Sequence, residues 1–378
     1  MSTVFSVTST LVIAFGLSYF LYLAWHGVRF VRRSPPGFAE LAAGQPTIYF
    51  MVPCLNEEAV IEATVGALLT SIADYSPTLD AHVFIIDDDS DDNTQLRALS
   101  FEDSRVRIIA RMLPNARVGK GMSLNHGYRI ILDEVKQRGL NPDSVLVVVM
   151  DADGQLSPDA LRHVLPLFDE PTVGAVQLPV RIRNRSHWLG RFQDFEFWGL
   201  SAVSQYGRAT LGCVSLGGNA QFSRLTALQS VAEKPWSTSL TEDLDLTLSL
   251  QINGWKTTTS CSAYVDQQGL RSLSALRRQR TRWMQGHMMS ARRLPEMWRS
   301  NKIGSGQMVE MSAYLLVPWT LVLPWSILFH ISLPNTVATT FGSIARAHAA
   351  FGLWGTVASV LVMYLLSFFP MIAAGLLY

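Results

Sequence analysis

The chain has 378 residues, of which 48% are hydrophobic and 16% are charged, and its formal net charge is +1. About 25% of the residues in an average soluble domain are charged, so this composition indicates a folded domain combined with membrane segments. The near-zero net charge gives no indication of a nucleic-acid partner, and we expect none. The 3 cysteines lack the Cys-x-x-Cys spacing of zinc sites, which leaves reduced thiols as the plain expectation.

Three apolar stretches are each about long enough for a spanning helix of roughly 20 residues, and they cover residues 11–25, 308–333 and 349–378. Basic residues follow the first stretch and precede the second, which by the positive-inside tendency places the region between them in the cytosol. A cleaved signal peptide is the alternative for the first stretch. That stretch lacks a preceding basic region and a following small-residue cleavage site, which favours a membrane helix.

The region between the first two apolar stretches begins with short apolar runs that alternate with helical patterns. Such runs are typical of a parallel sheet that helices cover on both faces, so we predict an α/β fold. The predicted strands are residues 47–53, 81–86, 105–110 and 145–150, and the predicted helices are residues 59–72 and 122–135. Because ligands bind at the carboxyl ends of strands in such a sheet, the polar segments that follow the strands should converge.

Carboxylates follow two of these strands. Asp151 and Asp153 come directly after the strand 145–150 and could both reach one hard divalent cation, although most Asp-x-Asp pairs are turn formers. The acidic run 87–92 follows another strand, and a helix cap explains its later residues. Asp87 and Asp88 lie at the strand end itself, where a carboxylate can accept hydrogen bonds from a base or a ribose.

Two glycine-containing segments carry further candidates. In the segment 117–125, glycines allow close backbone approach and Lys120 can meet a phosphate, with a basic helix entry as the alternative. Asn219 follows a Gly-Gly pair and could bind a sugar hydroxyl, although such pairs usually mark only turns.

Two later motifs could hold the reaction centre. The segment Thr241-Glu242-Asp243 either starts a helix, with Thr241 or Ser239 as its cap, or provides Asp243 as a general base. Residues 271–302 are basic and amphipathic, which predicts an interfacial helix. Within them, an Arg can clamp a diphosphate and Trp283 can stack on a sugar ring.

Together these motifs resemble the membrane-embedded family 2 glycosyltransferases, which include cellulose, hyaluronan, chitin-oligosaccharide and poly-N-acetylglucosamine synthases. The resemblance runs from about residue 47 to residue 286. Its elements are P-x-x-N-E at 53–57, D-D-x-S at 87–90, D-x-D at 151–153, T-E-D at 241–243 and Q-x-x-R-W at 279–283. Asp89 and Asp91 depart from the family pattern, which often has Gly and Thr there, so the base contacts are less secure.

The resemblance implies a GT-A fold, a Rossmann-like mixed sheet, in a cytosolic domain at residues 34–270. That domain would lie between an N-terminal membrane helix with its basic flank at 1–33 and the interfacial segment 271–302, with two C-terminal membrane helices at 303–378. The implied location is a bacterial-type inner membrane with several passes and the catalytic domain in the cytosol.

The resemblance also implies a role for each motif residue. The donor nucleotide would contact Pro53, Asn56, Glu57, Asp87, Asp88, Lys120 and Asp151. A Mn²⁺ or Mg²⁺ cofactor would be bound by Asp151 and Asp153. The catalytic residues would be Asp243 and Glu242. The acceptor and the diphosphate would contact Asn219, Gln279, Arg280, Arg282 and Trp283.

The predicted reaction is an inverting, metal-dependent sugar transfer from a UDP-sugar, with UDP-glucose or UDP-N-acetylglucosamine favoured. A growing β-linked polysaccharide is the favoured acceptor. The small number of membrane helices favours the alternative, a glycolipid synthase that adds a single sugar to a lipid acceptor. A second alternative is a non-catalytic membrane scaffold. Membrane lipids are expected partners, and a homo-oligomer or an export subunit would be compatible with the resemblance.

Overall fold

The computed structural model describes residues 2–34 and 44–331, together with the short stretches 339, 341–346, 348–350, 352–358 and 361. Among these residues, two helices are long and apolar enough to cross a membrane, and they cover Val7–Arg33 and Ser305–Ile331. The predicted third segment at 349–378 lies largely outside the described residues.

The chain divides into two compact units. One comprises Met1–Tyr22 and Leu316–Tyr378 and contains much of both apolar helices, and the other is Leu23–Leu315. Within the first unit, the two helices approach closely at one glycine: a Cβ atom on Gly16 would lie 2.8 Å from Leu321 Cδ1.

The larger unit is built around a seven-stranded sheet and a three-stranded sheet. The strands are, in chain order, β1 Thr47–Cys54, β2 Ala81–Asp87, β3 Val106–Ala110, β4 Val145–Val149, β5 Gln155–Leu156, β6 Val173–Gln177, β7 Val180–Ile182, β8 Gln221–Arg224, β9 Lys256–Thr258 and β10 Val265–Gln267. All four strands predicted from sequence are confirmed, with ends that differ by one residue.

Helices cover both faces of the large sheet, and other helices form the apolar segments. The α-helices are α1 Ser2–Arg33, α2 Ile61–Tyr75, α3 Thr94–Ala98, α4 Lys120–Arg138, α5 Ala160–Val164, α6 Trp188–Asp194, α7 Ala202–Ala209, α8 Leu225–Val231, α9 Glu242–Ile252, α10 Leu273–Ser290, α11 Leu294–Arg299 and α12 Ser305–Val317. Three 3₁₀ turns cover Pro142–Ser144, Leu165–Asp169 and Ala291–Arg293, and π-helical turns cover Phe195–Ser201 and Pro318–Val322.

The large sheet has the order β3-β2-β1-β4-β8-β6-β9. The first four strands are parallel, and β8 runs antiparallel to both of its neighbours, so the sheet is mixed, as predicted. In the smaller sheet, β10 lies between β5 and β7. This sheet positions residues 264–268 beside the turn that follows β4, since Asp153 Oδ2 accepts a hydrogen bond from the Gln268 amide.

Side chains of β1 alternate between two apolar clusters, as the strand period of two requires. Ile48, Phe50 and Val52 pack on the side of α2, whereas Tyr49 and Met51 pack on the side of α4. Every one of these five side chains is fully buried. Burial on both faces explains why the strands read as continuous apolar runs in the sequence.

Candidate active site

The strand register brings the predicted polar segments to one edge of the sheet. Cys54 at the end of β1 pairs with Asp87 at the end of β2, and Met51 pairs with Val149 at the end of β4. The segments that follow these three strands therefore emerge side by side. The convergence predicted from the sequence is confirmed.

A cavity of about 490 Å³ opens at this edge. Seven of the predicted site residues line it: Pro53, Glu57, Asp88, Lys120, Asp151, Asp153 and Arg282. The other lining residues are Cys54, Leu55, Arg117, Gly119, Ser123, Ala152 and Gln267. The cavity thus brings a residue of the Q-x-x-R-W segment together with the acidic segments, although more than 100 positions separate them in the chain.

Three carboxylates crowd one wall of the cavity. Burial and the neighbouring Asp151 raise the pKa of Asp153 to about 6. Burial and repulsion from both of these aspartates raise the pKa of Glu57 to about 7. Asp153 is held in place because its Oδ2 accepts a hydrogen bond from the Gln268 amide at 3.2 Å.

Lys120, the first residue of α4, provides the facing positive charge. Its Nζ lies 2.5 Å from Asp151 Oδ1 and donates to the Gly218 carbonyl at 2.9 Å. Desolvation opposes ionisation of the amine, but Asp151 and Glu242 outweigh it and raise the pKa of Lys120 above its usual range. In this arrangement Lys120 contacts a carboxylate, and its predicted contact with a phosphate stays a prediction.

Asp243 lies beside Lys120 across a glycine. A Cβ atom on Gly218 would lie 3.1 Å from Lys120 Nζ and 3.3 Å from Asp243 Oδ2, which is a tight contact, and the φ of Gly218 is +73°, a backbone conformation that favours glycine. Desolvation and repulsion from Glu242 raise the pKa of Asp243 to about 7. A carboxylate with this pKa can accept a proton near neutral pH, as a general base must.

The helix α9 that carries Asp243 starts at the predicted place. Thr241 is the residue before its first turn, but neither Thr241 nor Ser239 caps the helix with a side-chain hydrogen bond. Instead, Asp243 Oδ1 accepts from the Leu244 amide at 2.7 Å. Glu242 lies next to Asp243 in the chain and contributes to its raised pKa through charge repulsion.

The helix α10 that carries the Q-x-x-R-W segment packs directly on this start. A Cβ atom on Gly286 would lie 2.6 Å from Thr241 Cγ2 and 2.8 Å from Thr241 Oγ1. Such a distance leaves no room for any side chain at position 286. The segment and the predicted base are therefore joined through one close contact.

The residues of the Q-x-x-R-W segment separate into two groups. Arg282 lines the cavity. Arg280 instead forms an ion pair with Glu196 at 2.6 Å, donates to Gln279 Oε1 and lies over the Trp283 ring at 4.3 Å. Trp283 meets Phe197 edge to face, with 6.1 Å between the ring centres. Gln279, Arg280 and Trp283 do not line the cavity.

Asp88 and Asp87 have different surroundings. Asp88 lines the cavity, pairs with the buried Arg111 and accepts a hydrogen bond from the Arg117 amide at 3.0 Å. Asp87 is fully buried behind the cavity, where its Oδ2 accepts from Gln95 Nε2 at 2.7 Å and its Oδ1 has no partner. The predicted contact of Asp87 with the nucleotide stays a prediction.

Asn56 and Asn219 do not line the cavity, but each forms hydrogen bonds to segments near it. Asn56 has a φ of 59°, and its Oδ1 accepts from the Asp91 amide at 2.8 Å, which joins the P-x-x-N-E segment to the acidic run. Asn219 Oδ1 accepts from the Asp151 amide at 3.1 Å, and its Nδ2 donates to Gln267 Oε1 at 3.2 Å. Asn219 is buried, so its side chain supports the Asp151 turn.

Sequence reasoning missed several residues of the site. Ser123 lies in the segment 117–125 but carries no sequence signal of its own, and Gln267 and Glu196 belong to no motif. Arg117 lies in a segment that was singled out, and its cluster of acidic neighbours could have indicated its role, since its Nη2 lies 2.6 Å from Asp91 Oδ2.

The carboxylates fit the predicted Mn²⁺ or Mg²⁺. Asp151 and Asp153 offer hard oxygen donors whose mutual repulsion a cation would relieve. Among the described residues, no group of three His, Cys, Asp or Glu side chains could hold a metal ion. Asp151 and Asp153 would be two protein ligands of the ion, and Mg²⁺ in nucleotide-binding enzymes is usually bound by one or two carboxylates together with waters and substrate phosphates.

Known proteins are similar to this chain in sequence and in fold. Residues 46–286 match the family described as glycosyltransferase like family 2. The beta-monoglucosyldiacylglycerol synthase of Trichormus variabilis is 30% identical over 286 residues, which are 75% of this chain and 58% of that protein. The poly-beta-1,6-N-acetyl-D-glucosamine synthase of Staphylococcus aureus is 28% identical over 242 residues, which are 63% of this chain and 54% of that protein. The chain spans less than two thirds of the length of both relatives.

A solved structure extends the likeness to the fold. A mannosyltransferase from Pyrobaculum calidifontis, in complex with GDP-Man and Mn²⁺, matches with a TM-score of 0.60 and 18% identity over 97% of this chain and 92% of that chain. Together with the mixed sheet, this likeness identifies the fold as GT-A. The family match covers most of the chain and favours an enzyme over the scaffold alternative. The chain belongs to the glycosyltransferase like family 2.

Proposed function

We propose that this enzyme transfers a sugar from a UDP-sugar to an acceptor hydroxyl at a membrane surface, with inversion at the anomeric carbon. One observation carries the proposal. Lys120 lines the cavity together with Asp153 and Arg282. Asp243 does not line it, but it lies next to Lys120 across Gly218. A candidate base and the candidate diphosphate-binding charges thus lie within one site, as an in-line displacement requires.

Asp243 is the general base in this proposal. It accepts the proton of the acceptor hydroxyl as the oxygen of that hydroxyl bonds to the anomeric carbon, and the bond from that carbon to the diphosphate oxygen breaks. The electron pair of the broken bond leaves with UDP. A pKa of about 7 supports this role, because the carboxylate is ionised often enough near neutral pH and still basic enough to take the proton.

Lys120 and Arg282 stabilise the leaving diphosphate. Both are cations that line the cavity, and Arg282 has five N–H donors in a fork that suits phosphate oxygens. A Mn²⁺ or Mg²⁺ ion held by Asp151 and Asp153 would supply further positive charge to the same oxygens. Electrostatic stabilisation of this kind typically contributes several kcal/mol to a reaction.

The acceptor that we favour is a lipid hydroxyl, such as that of diacylglycerol. The support is the relative that covers the larger share of this chain, which is named as a glucosyldiacylglycerol synthase. A β-linked polysaccharide, the acceptor preferred from the sequence, is the second candidate and is supported by the poly-N-acetylglucosamine synthase relative. The partly exposed Trp283 can stack on a sugar ring and fits either acceptor.

Membrane attachment through both apolar helices, with the catalytic domain in the cytosol, completes the proposal. The helices Val7–Arg33 and Ser305–Ile331 have the length and composition for it. Arginines of α10 and α11 would then lie near anionic lipid head groups. Several passes, an oligomer and an export subunit all stay predictions.

The test uses the full chain in lipid nanodiscs that contain diacylglycerol, with Mn²⁺ and with radiolabelled UDP-glucose, UDP-N-acetylglucosamine, UDP-galactose or GDP-mannose. Products are separated by organic extraction and by size. One labelled species in the organic phase supports the lipid acceptor. High-molecular-weight label in the aqueous phase contradicts it and supports the polymer. Label transfer from GDP-mannose alone contradicts the UDP-sugar donor. The Asp243→Asn variant is the control for transfer by this site.

A further inference from the structure

Ser123 is a buried hydroxyl that lines the cavity and has no hydrogen-bond partner. It lies in the first turn of α4, three positions after Lys120, and only 1% of its surface is exposed. Its Oγ is inaccessible and makes no hydrogen bond. It lies in the segment 117–125, where the sequence predicted a role for Lys120 and none for Ser123.

Two serines in other helices behave differently. Ser71 Oγ donates to the Ala67 carbonyl at 2.9 Å, and Ser290 Oγ donates to the Gly286 carbonyl at 2.9 Å. This bond to the carbonyl four residues earlier is the usual solution for a helical serine. Ser123 lacks it, and a buried polar atom without a partner is costly enough that few persist without a reason.

The lining of the cavity indicates what would satisfy Ser123. The charged groups Asp151, Asp153, Lys120 and Arg282 match a diphosphate and a cation. The remaining lining near the end of β1 consists of Pro53, Cys54 and Leu55, which carry no charge and suit the flat face of a base. A serine hydroxyl both donates and accepts, so it can bond either the carbonyl or the N–H of a pyrimidine.

We propose that Ser123 Oγ binds the pyrimidine base of the donor nucleotide and helps to select it. This inference rests on the proposed UDP-sugar donor. In the absence of nucleotide the hydroxyl is unpaired and closed to solvent. A rotation about the Cα–Cβ bond of Ser123 would turn the hydroxyl towards the cavity, where the base supplies its partner. The residue therefore costs stability in the free enzyme and contributes affinity in the complex.

The Ser123→Ala variant tests these two opposite effects on stability and affinity, because alanine removes only the hydroxyl. The measurements are UDP binding by calorimetry and the thermal midpoint, both on the full chain in nanodiscs with Mn²⁺. We expect about 5- to 20-fold weaker UDP binding, as for one lost hydrogen bond of about 1–1.8 kcal/mol. We also expect an unchanged or higher thermal midpoint without nucleotide. Inorganic pyrophosphate should bind with unchanged affinity, because the base contact is absent from it.

Two further variants serve as controls. Ser123→Thr keeps the hydroxyl and should retain UDP binding to within about 3-fold. Ser71→Ala removes a helical hydroxyl that already has its partner and lies in α2, so UDP binding should not change.

Each other outcome overturns the assignment in a recognisable way. Equal losses of UDP and pyrophosphate affinity would move the contact of Ser123 from the base to the diphosphate. Unchanged UDP binding by Ser123→Ala, or a fall in its thermal midpoint without nucleotide, would make Ser123 a structural residue. If the wild-type protein does not bind UDP, the proposed donor is overturned as well. If the wild type and Ser123→Ala bind UDP equally well, only the role of Ser123 is overturned and the proposed donor is unaffected.

Discussion

Gly286 lies so close to Thr241 that a single methyl group cannot be added between them. A Cβ atom at position 286 would be 2.6 Å from Thr241 Cγ2, whereas real Cβ contacts essentially never fall below 3.0 Å. Thr241 is the residue before α9 and lies two positions from Asp243. The contact therefore joins the helix of the Q-x-x-R-W segment to the start of the helix that presents the proposed base.

We expect Gly286→Ala to reduce kcat by about 10- to 100-fold, because the displaced Thr241 moves Asp243 and small misplacements of reacting groups have effects of this size. The affinity for UDP should change less than 3-fold, since Arg282 lies a full turn away on α10 and the other nucleotide contacts are on other elements. The measurement is kcat and the Kd for UDP on the same preparation.

A second-site change checks the cause. Thr241→Ala removes both atoms that an alanine at 286 would strike and leaves Thr241 Cβ at 3.1 Å from the new methyl. The double variant should therefore recover at least part of the lost kcat. The clash does not act through Thr241 if the double variant has the same kcat as Gly286→Ala while Thr241→Ala alone keeps nearly full activity.

The proposed base gives a pH dependence with a definite sign. Desolvation and Glu242 raise the pKa of Asp243 to about 7, so the carboxylate is protonated and inactive below that pH. We expect kcat to rise about tenfold per pH unit below about 7 and to level off above it. Asp243→Asn should lower kcat by about 10²- to 10⁴-fold. A pH profile that is flat between 5 and 8 would contradict a base with this pKa.

The raised pKa of Asp243 also predicts that Asp243→Asn stabilises the folded protein. The folded pKa lies above the value of an unfolded aspartate, so the unfolded chain releases this proton at lower pH and unfolding becomes easier as pH rises from about 4 to about 7. Asparagine removes this effect. The thermal midpoint of Asp243→Asn should therefore equal or exceed that of the wild type at pH 8. A large decrease in the thermal midpoint of Asp243→Asn at pH 8 would mean that this variant loses activity through misfolding.

The sequence predicts the strands of the sheet edge well because those strands are buried on both faces. Their continuous apolar runs and the polar residues after them follow from that burial, as β1 and β4 illustrate. The position of Arg282 in the cavity needed the resemblance, since no local pattern links residue 282 to residue 153.

Other features depend on contacts that spacing does not record. The unpaired hydroxyl of Ser123 depends on what surrounds it in space. The same holds for Arg280, whose pairing with Glu196 joins residues 84 positions apart. The arginines 280 and 282 are two positions apart and look alike in the sequence, but the packing of α10 places Arg282 at the cavity and Arg280 against Glu196.

Within the unit Leu23–Leu315, a buried ion pair joins α7 to the part of α12 that belongs to this unit. Arg208 Nε lies 3.0 Å from Glu310 Oε1, with 6% and 3% of the two side chains exposed, and the guanidinium lies over the Tyr314 ring at 3.7 Å. We expect Glu310→Gln to destabilise the protein by about 3–5 kcal/mol, because a buried arginine loses its counter-charge. The measurement is the thermal midpoint of the full chain in nanodiscs.

An apolar double variant distinguishes lost charge balance from lost packing. Arg208→Met combined with Glu310→Leu removes both charges and keeps similar volume, so it should be more stable than Glu310→Gln. If the double variant is the least stable of the three proteins, the hydrogen bonds of the pair matter more than the unpaired charge.

Glu196 offers a separate test of the acceptor side. It holds Arg280 over the Trp283 ring and lies on the π-helical turn Phe195–Ser201. Such turns are rare and frequently occur at functional sites. If this arrangement presents Trp283 to the acceptor, Glu196→Gln should raise the acceptor KM by about 3- to 10-fold and leave the Kd for UDP unchanged. Steady-state kinetics with varied diacylglycerol content of the nanodiscs, alongside UDP titration, separate the two effects.

Glu62→Gln is the matched control for Glu196→Gln, because Glu62 pairs with Arg97 on the surface, at 3.2 Å, and belongs to no part of the proposed site. Exposed pairs contribute at most about 1 kcal/mol to stability, so this variant should leave both constants and the thermal midpoint nearly unchanged. Glu196→Asp keeps the charge on a shorter side chain and should recover part of the acceptor KM. An equal change in acceptor KM and in UDP affinity for Glu196→Gln would indicate that Arg280 supports the whole α10 helix rather than Trp283 in particular.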